Sequence, residues 1–93
     1  MKSAGEVIDL LKSKEATTSC DDLVSLLTDL GFDVRRRKSG NHHTLDHPGI
    51  PNFMGANFDG GHGKTVKTCY VQEMRKLVKK YETEINEHLK AKT

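Results

Sequence analysis

A small α+β domain, with helices on one face of a three-stranded antiparallel sheet, is the fold class that three features of this sequence predict. Leu23, Leu26, Leu27 and Leu30, and later Val71, Met74, Val78, Tyr81, Ile85 and Leu89, recur at the three-or-four-residue spacing of amphipathic helices. Between those stretches, Phe32 and Val34 alternate with Asp33 and Arg35 in the period of a half-buried strand. A chain of 93 residues, 34% of them apolar, supports a single core and leaves no room for a large substrate cavity.

The elements follow in order. Ser3 and Glu6 have capping-box spacing ahead of Val7, Ile8, Leu10 and Leu11, which predicts a short helix fading near Lys14. Residues 1–18 then read as a helical extension appended to an α+β domain over 19–93. Ser19 and Asp22 repeat the capping spacing before the leucine-rich helix, and Gly31 stands where a left-handed residue ends it. A strand through Val34 reverses at Ser39-Gly40-Asn41 into a second strand from His43 to His47. Pro48 stops that strand, because it has no N–H for the ladder. The stretch from Gly49 to Gly63 is glycine-rich, and a third strand is expected near Phe53 to Asp59. Thr68 is the expected cap of one long helix reaching Leu89. The end of that helix, with Ile85 and Leu89, reads as a docking stripe for the N-terminal helix or for a partner protein.

Charge narrows the class of partner. The net charge is only +2, but the first 34 residues lean acidic. Basic side chains gather afterwards, first in Arg35, Arg36, Arg37 and Lys38, then in Lys64, Lys67, Arg75, Lys76, Lys79 and Lys80. Two such clusters favour an anionic polymer over an acidic small molecule. Cys20 and Cys69 lack CxxC spacing and read as reduced thiols. No apolar run is long enough for a signal peptide or a membrane span, so the expectation is a soluble, cytoplasmic protein.

The chemistry-bearing stretch is Gly40-Asn41-His42-His43-Thr44-Leu45-Asp46-His47-Pro48. With Leu45 facing the helices, strand alternation sets His42 on the other face with Thr44 and Asp46, open to substrate. An imidazole titrating near pH ~6.5 can move the proton of a ribose 2′-hydroxyl without a metal. His43 and His47 share the face of Leu45 and read as buried structural groups. A shared metal does not suit the three histidines. Neighbours on a strand point apart, and residues four apart lie ~13 Å from each other at ~3.3 Å per residue. Gly60-Gly61-His62-Gly63-Lys64-Thr65 lacks the spacing of a nucleotide-binding P-loop. For each of these features there is a plainer reading: a solvated histidine beside a turn, and a charged edge strand that discourages aggregation.

Together, the helix ending at Gly31-Phe32, the basic strand, Gly40-Asn41-His42-His43, the His47-Pro48 pair and the passage Gly60 to Lys64 before Thr68 resemble the HicA family of toxin ribonucleases. The resemblance runs from about Asp21 to about Lys80. The chain departs from the family pattern at Asn41, where Ser or Thr usually stands, and in its glycine-rich third strand. The resemblance implies a double-stranded-RNA-binding-like fold and a metal-independent endoribonuclease, an mRNA interferase that needs no cofactor. It implies His42 as the catalytic residue and a HicB-type antitoxin as protein partner. The expected RNA contacts are Arg36, Arg37, Lys38, Gly40, Asn41, Lys64 and Lys67. Two other readings stand beside it: a double-stranded-RNA-binding module without chemistry, and an interaction protein that works through its helices.

Overall fold

The computed structural model describes residues 2–37, 41–61 and 63–91. Its first helix, α1 (Ala4–Ser13), opens on the predicted box: the Glu6 N–H donates to Ser3 Oγ at 3.2 Å, and the Ser3 N–H donates to Glu6 Oε1 at 3.4 Å. Two of the donors that every helix start leaves unpaired are thus satisfied. Far from being only appended, α1 places Ala4, Val7 and Leu11 in the common core, where none is exposed. Its N-terminus is tied to the far end of the chain through the Ala4 N–H and Asn86 Oδ1, 3.0 Å apart.

The second helix, α2 (Cys20–Asp29), begins at Ser19, whose Oγ accepts the Asp22 N–H at 3.1 Å. It buries Cys20, Leu23 and Leu27. At its end Gly31 takes φ +93°. The Gly31 N–H donates to Thr28 O at 2.9 Å and the Phe32 N–H to Leu27 O at 3.1 Å, the paired bonds of a Schellman motif. A residue with a Cβ is strained at that φ, which is why glycine stands there.

The sheet runs β1 (Asp33–Arg36), β2 (His42–Asp46), β3 (Ala56–Asp59), all antiparallel and in that spatial order. His43, Leu45 and Phe58 are buried on the face turned to the core, while Asp46, Asn57 and Asp59 are exposed on the other, which also carries the half-exposed His42 and Thr44. The third strand starts later than Phe53, because the chain turns at Asn52 (φ 61°) and Gly55 (φ 86°), conformations no strand can carry. Phe53 instead packs edge-on against Phe32 and Tyr81, with ring centroids 6.0 and 5.5 Å apart.

The single long C-terminal helix expected from the apolar stripe is two helices, α3 (Thr68–Lys80) and α4 (Glu82–Ala91), which meet at Tyr81 (φ −109°, ψ 22°). No proline or glycine causes the break. It accompanies packing: the Tyr81 ring stands against Phe53, and the redirected chain buries Ile85 completely. One of the two roles open to this stripe, docking on the N-terminal helix, is seen, since α4 and α1 are in contact. The expected Thr68 cap is also absent. Thr68 is the first residue inside α3, Lys67 holds the cap position, and no side chain among the described residues caps the helix.

His47 ties these parts together. Its Nδ1 accepts the Gly49 N–H at 3.0 Å, so Nε2 carries the proton that is donated to Leu30 O at 2.8 Å. The His88 ring of α4 lies edge-on to it, 4.9 Å away. Gly49 has no room for a side chain, because a Cβ there would sit 2.7 Å from His88 Cβ. Among the described residues, no helix is long and apolar enough to cross a membrane.

A candidate histidine site beside a basic groove

His42 opens β2 and pairs across the sheet with Asp59, the last residue of β3. This register brings His42 Nδ1 to 2.8 Å from Asp59 Oδ1. An ionised carboxylate only accepts, so Nδ1 carries the proton, and in the neutral ring Nε2 keeps its lone pair. The side chains are 43% and 53% exposed, open to a large solute. On the other oxygen of the same carboxylate, Asp59 Oδ2 accepts the Tyr70 hydroxyl at 3.4 Å. The negative charge of Asp59 pushes the Tyr70 phenol above its ordinary 10.0, since ionisation would set two anions side by side.

Beside this chain of three lies a groove of about 490 Å³ lined by Asn41, Asp59, Gly61, Lys64, Lys67 and Tyr70. Its wall is the segment after β3, fixed at both ends by main-chain bonds. The Gly60 N–H donates to Asn41 O at 2.8 Å, the Cys20 N–H to Lys64 O at 2.8 Å and the Val66 N–H to Thr18 O at 2.9 Å. The last two flank a bridge between Ser19 and Thr65, so the start of α2 sets where Lys64 stands. Lys64 and Lys67 are both exposed.

The remaining expected contacts divide by face. The Arg37 N–H donates to His42 O at 2.8 Å, which extends the β1–β2 register and sets position 37 directly across from His42. Arg36 pairs with His43 and lines a different hollow of about 330 Å³ with Cys20, Asp21, Val34 and His43, so the fold does not bring it to His42. Lys38, Gly40 and His62 lie outside the described residues.

His43 and His47 are 6% and 2% exposed, as strand parity predicts. His43 stacks on Phe58 with centroids 4.8 Å apart, its Nδ1–H donates to Asn41 O at 3.1 Å, and its Nε2 lies 3.8 Å from Cys20 Sγ. The Cys20 thiol donates to Gly60 O at 3.4 Å. Burial, then the charge of Asp21, push this thiol above its ordinary 9.0, with Arg36 opposing, so at neutral pH it is a protonated packing group and not a nucleophile.

Asp59 and Tyr70 are the site residues that sequence reasoning missed. The signal for Asp59 was its sequence position, as a carboxylate at the expected end of the third strand, but its pairing with His42 depends on a register set elsewhere. No family model matches this chain, and no curated protein or solved structure matches it either.

Proposed function

We propose that the protein is a metal-independent endoribonuclease of the HicA toxin type, built on a double-stranded-RNA-binding-like arrangement of its helices and three-stranded sheet. The observation that carries this reading is the placement of His42: its Nδ1 is held by Asp59 at 2.8 Å, and it adjoins a groove whose exposed cations are Lys64 and Lys67. A histidine so held has one nitrogen for proton transfer, and the lysines offer positive charge for a phosphate.

In this reading His42 Nε2 takes the proton of a ribose 2′-hydroxyl. The 2′-oxygen forms a bond to phosphorus as the bond from phosphorus to the 5′-oxygen breaks, and the leaving oxygen takes a proton from water. The product is a 2′,3′-cyclic phosphate end. Lys64 and Lys67 offset the charge that grows on the phosphoryl oxygens, while Asn41 and Arg37, with Lys38 and Gly40 next to them in the chain, hold the strand on either side. Arg36, across the sheet, takes no part in the groove. An antitoxin of the HicB type would inhibit by covering His42 and the lysines.

The same lysines favour a second reading, a double-stranded-RNA-binding module without chemistry, since phosphate contact needs no histidine. One experiment separates the two. Purified protein and its His42→Ala variant are incubated with mixed messenger RNA in excess EDTA, and fragment ends are mapped. Cleavage by the wild type alone, with cyclic phosphate ends, supports the ribonuclease. Intact RNA in both lanes, with salt-sensitive binding unchanged by the variant, supports the binding module.

A further inference from the structure

We propose that Asp59 is the positioning residue of His42, holding it as the Nδ1–H tautomer so that Nε2 is the working base, and that Tyr70 steadies the Asp59 carboxylate from α3. The inference rests on the ribonuclease reading for its consequence, but its geometry stands by itself.

An imidazole at the exposed start of a strand has no intrinsic reason to hold one ring orientation. Neutral histidine in water favours the proton on Nε2, the arrangement that would leave Nδ1 as the acceptor, close to the backbone and poorly placed for a substrate. Asp59 reverses this preference by accepting from Nδ1 at 2.8 Å. The carboxylate is fixed at both oxygens, by His42 from β2 and by Tyr70 from α3, so three elements converge on one exposed anion. Stability does not account for it: a half-exposed ion pair contributes about 0–1 kcal/mol. An anion inside a groove lined by Lys64 and Lys67 also repels a phosphate backbone. Its cost to binding is understandable if it serves the histidine, as carboxylate partners of working histidines do.

The test reads the tautomer directly. In protein labelled with nitrogen-15 on histidine, at a pH where His42 is neutral, long-range proton–nitrogen correlations identify which ring nitrogen is protonated. The wild type is expected to show Nδ1–H at His42, and Asp59→Ala to move the ring towards Nε2–H, with Asp59→Glu restoring part of the wild-type pattern. Tyr70→Phe is expected to leave the wild-type tautomer dominant but to broaden the His42 signals. On RNA, Asp59→Ala is expected to lower kcat by at least ~10-fold, as loss of a carboxylate that orients a working histidine does, with KM unchanged or lower because an anion has left the groove.

A wild-type His42 carrying its proton on Nε2 overturns the proposal without any variant. So does an Asp59→Ala protein that keeps Nδ1–H, or one whose whole effect lies in KM. If the wild type cuts no RNA, the ribonuclease reading fails, while the spectra still decide the role of Asp59.

Discussion

Replacing Leu11 by Ala measures whether α1 is part of the core or an attachment to it. Leu11 is fully buried, together with Val7 and Ala4 on the same stripe of the helix, in one cluster with Val71, Met74 and Ile85. Truncating a leucine in such a place loses the transfer free energy of the removed carbons and leaves a partly collapsed cavity, ~2–5 kcal/mol together. A domain of this length has roughly 5–14 kcal/mol of total stability at ~0.05–0.15 kcal/mol per residue. The substitution therefore removes a large share of it. At about 4–8 °C per kcal/mol for a small domain, the melting temperature is expected to fall by at least ~8 °C. Thermal and urea unfolding followed by circular dichroism, with the exposed Asp9→Ala as control on the same helix, give the comparison. A Leu11→Ala protein melting within ~2 °C of the wild type, where at least ~8 °C is expected from cavity costs, refutes the claim that α1 is core.

Gly49→Ala is expected to cost ~1–3 kcal/mol by overpacking, because the new Cβ would meet His88 Cβ at 2.7 Å and push α4 away; differential scanning calorimetry reads the loss. The buried Cys20 thiol has a folded-state pKa above its ordinary 9.0, so its contribution to stability is complete below about pH 9 and is lost as the pH rises through the folded value. The stability gap between wild type and Cys20→Ala should accordingly narrow between neutral and strongly alkaline pH, and parallel curves in urea titrations would contradict this. A maleimide should label the exposed Cys69 at once and Cys20 only on unfolding. Lys64→Ala and Lys67→Ala should each reduce the slope of log binding constant against log salt by about 1, the signature of one lost phosphate contact. An unchanged slope removes that lysine from the RNA path.

Features encoded by neighbours in sequence were legible in it. The Ser3–Glu6 box, the Gly31 terminus and the alternation that buries His43 and His47 while leaving His42 outside all depend on spacings of a few residues. The same alternation, applied to Arg36, sets it on the side of Val34 and His43, so its separation from His42 was readable too. What was not readable depends on distant partners. The His42–Asp59 contact spans 17 positions and follows from where β3 begins, which the turn through Asn52 and Gly55 decides. The break at Tyr81 has no local sequence signal; it accompanies the packing of Phe53 and the burial of Ile85, and a periodic stripe looks the same whether or not the helix bends.

The carbonyl of Asn41 accepts from both His43 Nδ1 and the Gly60 N–H, so the main chain ties this position to the core and to the groove wall. Its side chain is exposed, and the residue lines the groove. Position 41 is thereby a socket, with anchorage and chemistry divided between backbone and side chain. A substitution that keeps the backbone at position 41 is expected to keep both of these main-chain anchors.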